Sequence, residues 1–205
     1  MEVIKIYPKG FGANTYLVTA DGKNAVVIDP AGEMIVNECI CRELDPAYVL
    51  LTHCHFDHVM GAAALQARGA KVICLDKEKK NIGTGVDLFD YFGAPRKPFT
   101  VDETISDGET RTLAGISFLA LSTPGHTDGS ACYLVEQERI LFTGDTLFEG
   151  SIGRTDFPTG SVSELRRSLK KLRDLDGEYT VYAGHNEDTT LEIERKTNPY
   201  LLSVE

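Results

Sequence analysis

No apolar run in this 205-residue chain approaches the ~20 residues needed to cross a bilayer, so a membrane-spanning helix is not expected. A secretory leader is not expected either. Met1 to Tyr7 start directly in an alternating strand pattern, without the basic region, long apolar core and small-residue cleavage site of a signal peptide. The expected location is the cytoplasm. Basic charge is scarce: 21 Lys and Arg stand against 31 Asp and Glu, a formal net charge of −10. Such a surface repels a phosphate backbone, and nucleic acid is not an expected partner. The cysteines, Cys39, Cys41, Cys54, Cys74 and Cys132, number five and include no Cys-x-x-Cys pair. Buried reduced thiols are expected rather than a disulfide framework. There is no Pro/Ser-rich linker, internal repeat, low-complexity tract or heptad pattern. With 42% hydrophobic residues for a core, the chain is expected to form one domain over residues 1–205.

What the chain does have is Thr52-His53-Cys54-His55-Phe56-Asp57-His58, three imidazoles and a carboxylate directly after an apolar run. In an extended segment side chains alternate faces, so His53 and His55 point one way and Cys54 the other. One metal ion can take both histidines. If the chain turns into a helix at Phe56, Asp57 and His58 splay roughly 100° apart about its axis and can serve a second ion. Cys54 is left out of the ligand set by its phase.

Residues 3–7, 15–18 and 25–28 read as strands, with a turn at Asp21-Gly22. Residues 10–14 join the first two, and their Gly and Asn need only backbone reasons. Asp29 ends the third strand, either as a group that holds a metal ligand or as a plain turn residue. A helix is predicted over 33–44 with Ile35, Cys39 and Ile40 on one face, then a buried strand over 47–51. A helix over 59–68 and a strand over 72–75 complete a β-α-β crossover. Periodicity fades over 76–108, a long connection whose Phe89, Tyr91, Phe92 and Phe99 either pin it to the core, the favoured reading, or cover a pocket. Later, 116–121 runs into Gly125-His126, 140–142 into Gly144-Asp145, and 179–182 into Gly184-His185. Each potential ligand sits just past a strand end, where rigid strands position loops. An amphipathic helix is predicted over 162–175 on Leu165, Leu169, Leu172 and Leu175, and Thr189 with Glu192 fits a capping box opening a final helix that Asn198-Pro199 ends.

All five histidines, His53, His55, His58, His126 and His185, now share one proposed task. With Asp57 and Asp145, in this order, they resemble the five motifs of the metallo-β-lactamase superfamily, over essentially the whole chain. Thr-Pro-Gly-His-Thr at 123–127, Gly-Asp-Thr-Leu-Phe at 144–148, Gly-Ser-Ile-Gly-Arg-Thr-Asp at 150–156 and Thr-Asn-Pro-Tyr at 197–200 resemble its small glyoxalase II-like hydrolases. The resemblance implies an α/β fold, an αββα four-layer sandwich with two mixed β-sheets between outer helices and the site at one edge. It implies His53, His55 and His126 on one metal, Asp57, His58 and His185 on another, and Asp145 bridging them. Two divalent ions are expected, zinc first, with iron or manganese as alternatives because imidazole and carboxylate suit all three. Asn186 stands where the family usually has Gly, and Asp128 replaces a common Pro. Longer glyoxalase II enzymes continue into a helical domain that holds glutathione, and residues 186–205 are too few to form one. No cysteine takes the second-site role it has in the main dizinc β-lactamases, which argues against antibiotic hydrolysis.

The implied activity is hydrolysis of a small-molecule thioester, as in a hydroxyacylglutathione hydrolase, by a metal-bridging hydroxide. Asp57 is the expected catalytic group, orienting that hydroxide and taking its proton. Arg154 is the candidate for gripping the carboxylate of an anionic thioester through its planar fork, with a loop salt bridge to Asp156 as the alternative. A rival function comes from the persulfide dioxygenases of the same superfamily, which resemble the first motif and Gly-Arg-Thr-Asp-Phe at 153–157. They use one iron on two histidines and a carboxylate, here His53, His126 and Asp145. Ser151-Ile152 and the Asn-Pro-Tyr terminus favour the hydrolase. A non-catalytic zinc-stabilised domain fits less well, since structural zinc sites close with four tight ligands, often cysteines.

Overall fold

The architecture is that of a computed structural model of the chain, which describes residues 1–7, 10 and 12–204. Phe11, part of the 10–14 connection, lies outside the described residues. Strands β1 (Glu2–Ile6), β2 (Thr15–Thr19) and β3 (Asn24–Ile28) open the chain as an antiparallel meander. Helix α1 (Met34–Cys41) crosses to β4 (Asp45–Leu51), parallel to β3, and the short helices α2 (Phe56–Val59) and α3 (Ala62–Gln66) lead to β5 (Lys71–Leu75), parallel to β4. After α4 (Phe89–Phe92), β6 (Glu103–Ile105) adds to β5 in parallel, giving a sheet ordered as the chain runs, β1 to β6.

The second half builds the second sheet. Strands β7 (Thr110–Leu113), β8 (Ile116–Ser122), β9 (Ala131–Val135) and β10 (Ile140–Gly144) are antiparallel neighbours. The ribbon β11 (Leu147–Phe148) and β12 (Ser151–Ile152) follows, then α5 (Val162–Arg173), β13 (Thr180–Ala183) parallel to β10, β14 (Thr189–Thr190), α6 (Leu191–Thr197) and α7 (Pro199–Leu202). Among the described residues, two six-stranded mixed sheets result.

Alternation along the strands explains the layers. Tyr16 and Val18 of β2 face the core shared with Phe118, Tyr133 and Phe142 of the second sheet, while Leu17 between them faces α1 and α3. On the far side, Leu165, Leu169 and Leu172 of α5 cover Leu134, Leu141 and Val181. The result is helix, sheet, sheet, helix, as expected.

Differences from the sequence pattern have local causes. Ile40 is 54% exposed while Ile35 and Cys39 are buried, because residue 40 lies roughly 100° further around the helix than residue 39. The helix expected over 59–68 breaks at Gly61, whose N–H donates to the Pro30 carbonyl (2.8 Å). Strands β6, β7 and β9 add to those read from the sequence, β9 as the apolar run Ala131–Val135, and β6 lies inside the stretch that reads as a long connection. The final helix is capped by Thr190, which accepts from the Ile193 N–H, while the Thr189 hydroxyl donates to Glu194 Oε1 (2.8 Å). Among the described residues the cysteines are free and buried except Cys41, which is exposed. No helix there is long and apolar enough to cross a membrane.

Phe142 sits at the centre of the inter-sheet core, its ring 5.4 Å from both Tyr16 and Tyr182. Phe142→Ala is expected to cost about 3–5 kcal/mol in urea unfolding. A loss below about 1 kcal/mol would mean that the two sheets do not depend on this contact.

Candidate metal centre

Each candidate ligand stands just past a buried strand, at one edge of the two sheets. Strand β4 delivers His53, His55, Asp57 and His58, β8 leads to His126, β10 to Asp145, and β13 to His185. Nε2 of His53 lies 3.1 Å from Nδ1 of His55, and Nε2 of His126 lies 2.8 Å from that same Nδ1. Beside this trio stand Asp57, His58 and His185, with Asp57 Oδ2 3.3 Å from His185 Nε2 and 3.9 Å from His58 Nε2. Within each trio, one ligand atom per residue lies within 4.8 Å of the others. Asp145 stands between the trios, Oδ1 3.3 Å from His58 Nε2, and Oδ2 3.4 Å from His126 Nε2 and 3.5 Å from His185 Nε2. All seven residues singled out in the sequence meet in one place. Gly184 permits the crowding: a Cβ there would lie 2.3 Å from Asp145 Oδ1 and 2.8 Å from a ring carbon of His58.

On three of the rings the other nitrogen is tied back, which sets the tautomer. His126 Nδ1 donates to the Arg154 carbonyl (2.8 Å), His58 Nδ1 to Asp29 Oδ2 (2.9 Å), and His53 Nδ1 to Thr52 Oγ1 (3.1 Å). Three Nε2 atoms are thereby turned toward the centre. His58 Nε2 and Asp145 Oδ1 face each other there at 3.3 Å, buried and without a formed hydrogen bond, and His55 Nε2, the nitrogen that does not meet His53 and His126, is a third buried atom without one. Buried orphans of this kind are rare, and a donor set of imidazoles and carboxylates around them fits divalent cations of the zinc, iron or manganese type.

Electrostatics divides the histidines. Burial, reinforced by neighbouring rings, holds His53 well below its ordinary pKa; burial brings His55 down to about 3 and also lowers His126. Burial acts the same way on His58 and His185, but it is outweighed, by Asp145, Asp57 and Asp29 for His58 and chiefly by Asp145 for His185, so both are raised. Burial would raise Asp145 and Asp57, yet the facing histidines, His58 first, hold both below the usual carboxylate range. The first trio is thus biased toward neutral rings, and the second toward charged rings facing carboxylates.

Supporting residues with little or no signal in the sequence hold the ligands in place. Asp29, open to two roles in the sequence, adopts a left-handed backbone (φ 49°). Its carboxylate accepts from the Thr52 N–H (2.8 Å) and hydroxyl (2.6 Å) as well as from His58. It thus orients His58 directly and His53 through Thr52. Glu78 sits in Lys-Glu-Lys-Lys at 77–80, which looks like surface, yet it is fully buried. Its oxygens accept from the Cys54 N–H (2.8 Å), Asn81 Nδ2 (2.8 Å) and the Thr127 hydroxyl (3.0 Å), joining the loop of His53 and His55 to that of His126. Residues 13 and 14 clamp the other trio: the Ala13 N–H donates to the Asp57 carbonyl (3.2 Å) and the Asn14 N–H to the Gly184 carbonyl (2.7 Å).

A cavity of about 760 Å³ opens over the cluster, lined by His55, Asp57, His126, Asp145 and His185, by apolar groups, and by Arg154. The aromatics of the 76–108 segment divide: Phe89 is buried in the core, Phe99 packs against it, Phe92 lines the cavity, and Tyr91 is exposed beside it. Of the two roles open for Arg154, the geometry has the salt bridge, with Nε and Nη2 each 2.6 Å from an Asp156 oxygen.

A four-layer αββα sandwich with clustered histidines and aspartates at one sheet edge defines a class of metal-dependent enzymes. The chain belongs to the metallo-beta-lactamase superfamily, whose family model matches residues 8–185. It is 36% identical to the hydroxyacylglutathione hydrolase GloC of Haemophilus influenzae over 99% of this chain and 98% of that one. Among solved structures it is similar to the BLEG-1 B3 metallo-beta-lactamase, with a TM-score of 0.88 and 31% identity over 98% and 99% of the two chains. It is also similar to TTHA1623 in a di-iron-bound form, with a TM-score of 0.78 and 33% identity over 98% and 100%.

Glu78 accepts only from donors, so Glu78→Gln must set an amide NH₂ against at least one of them. Metal affinity by chelator competition is expected to fall roughly 10- to 100-fold, and an unchanged affinity would reduce Glu78 to a space-filler. Cys54 is fully buried on the side away from the trios, with its backbone on Glu78. Cys54→Ser is expected to keep the wild-type metal stoichiometry by elemental analysis. Loss of one equivalent would put its sulfur among the ligands.

Proposed function

We propose that this chain is a thioester hydrolase working with two divalent ions. His53, His55 and His126 would hold one, Asp57, His58 and His185 the other, and Asp145 both. The observation that carries the reading is the second trio. A single ion on the first would leave Asp57, His58 and His185 gathered within 4.8 Å without a purpose. Similarity to a hydroxyacylglutathione hydrolase over nearly the full length of both chains supports thioester chemistry.

Bound together, two divalent ions would lower the pKa of a shared water and polarise a substrate carbonyl. The chain's own groups do the rest. Asp57, ionised and lining the cavity, accepts a hydrogen bond from the attacking water and so orients it. The tied-back Nδ1 atoms keep the rings from turning. Protons on His58 and His185 must leave as metal enters, so loading is coupled to proton release and weakens in acid.

Zinc is the metal of first choice, and similarity to a di-iron-bound structure keeps iron in the test. Iron on His53, His126 and Asp145 alone would instead suit a persulfide dioxygenase. Elemental analysis with oxygen uptake on glutathione persulfide separates the two readings. Similarity to a B3 metallo-beta-lactamase means that the missing cysteine ligand does not by itself dispose of β-lactams, which belong in the same substrate screen as thioesters and lactones.

Asp145→Asn keeps the size of the group that touches both trios and removes its charge. Thioester hydrolysis is expected to fall by about 10²-fold or more, metal content to drop below two per chain, and the circular dichroism spectrum to persist. A folded variant with near-normal turnover and full metal content would sink the bridging role.

A further inference from the structure

We propose that the substrate is an uncharged thioester with an apolar acyl group, held by an aromatic wall on one side of the metal centre. This rests on the hydrolase reading and names its substrate class. The cavity's volume of about 760 Å³ suits a small molecule, and much of its wall is apolar. At one end stand Phe56 from α2, Leu88 and Phe92 from the segment after β5, and Phe157. The Phe92 ring is 4.9 Å from Phe56 and 6.0 Å from Phe157, and Phe157 stands edge-on to His55 at 5.9 Å. Tyr91, 5.6 Å from Phe157, extends this wall toward solvent. Elsewhere the lining mixes Ser151, His185 and Asn186 with Ile152 and Phe148, the last edge-on to His185 at 5.9 Å.

Phe92 is 51% exposed and Tyr91 73% exposed. Large aromatics kept in water beside a reactive centre gain when a ligand covers them. Apart from the metal ions themselves, which would attract any acyl carbonyl or carboxylate alike, the cavity offers little to an anion. Among the described lining residues, Arg154 is the one Lys or Arg, and both oxygens of Asp156 already occupy its fork while its guanidinium stacks 3.9 Å from the Phe157 ring centre. An exposed pair of this kind is weak, but exchanging Asp156 for a substrate carboxylate replaces one such bond by another. It also leaves Asp156 unpaired beside the newcomer. The net charge of −10 adds long-range repulsion. Hydrolysis then places the acyl group on the aromatic wall, with the thiol carrier extending from the metal centre past Ser151 and Asn186. The carbonyl carbon gains a bond to water oxygen, the C–S bond breaks, and the thiolate takes up a proton as it leaves.

The test uses metal-loaded protein with N-acetylcysteamine thioesters of acetyl, butyryl and hexanoyl groups, and the same acyl groups on glutathione. From acetyl to hexanoyl, kcat/KM is expected to rise at least about 30-fold, since each buried methylene is worth roughly a factor of four. Phe92→Ala should shrink that ratio at least fivefold. A flat series, or a tenfold preference for the glutathione thioester of the same acyl group, overturns the proposal. If no thioester is turned over at all, the hydrolase reading fails, and binding of the non-hydrolysable S-hexyl-N-acetylcysteamine by calorimetry decides the wall separately. Binding that weakens in Phe92→Ala supports it, and absent or unaffected binding overturns it.

Discussion

Two Nε2 atoms stand within 3.1 Å of the same imidazole Nδ1 in a fully buried setting. With His53 and His126 carrying their protons on Nδ1, one proton on His55 can satisfy at most one of them where water cannot separate the rest. Such an arrangement is unfavourable without a positive charge at its centre, and most of the surrounding structure serves to hold it nonetheless. The imidazoles of His53, His58 and His126 are anchored from behind, and the anchors are themselves held. Asp29 is pinned by Thr52, and the Arg154 carbonyl that holds His126 belongs to the loop after β12. The pattern resembles metal sites in which outer hydrogen bonds set the basicity and direction of the ligands.

The two trios are held by different clamps. Glu78, from the first sheet's side, joins Cys54 to Thr127 across the inter-sheet joint. Ala13 and Asn14 join Asp57 to Gly184 across the same joint further along. Both clamps use buried polar groups with all their partners in place. That is the condition under which a polar network adds definition to a core instead of weakening it.

The ligands were legible because their chemistry is sparse: the chain has five histidines, three of them packed into residues 53–58 after β4 and two directly after a glycine that follows a strand. The layers were legible because period-two alternation sends Tyr16 and Val18 one way and Leu17 the other. Glu78 was not, since a carboxylate among lysines reads as solvated surface, and only the return of residues 123–130 over it makes it an interior residue. Strand β6 was hidden for a related reason. Three residues show no period, and Glu103–Ile105 becomes a strand only because β5 offers an open edge beside it. Thr190 replaces Thr189 as the cap because the β13–β14 pairing sets where the chain leaves the sheet, which local preference cannot report.

The division of ligands between the sheets has a kinetic consequence. His53, His55, Asp57 and His58 belong to the half that builds one sheet, and His126, Asp145 and His185 to the half that builds the other. Neither half alone presents more than part of either trio. The centre therefore closes only after distant stretches of chain have met, a high-contact-order event that comes late in folding. Until then the nascent chain offers metal ions no more than a loose chelate, and the finished cluster is a property of the docked sandwich alone.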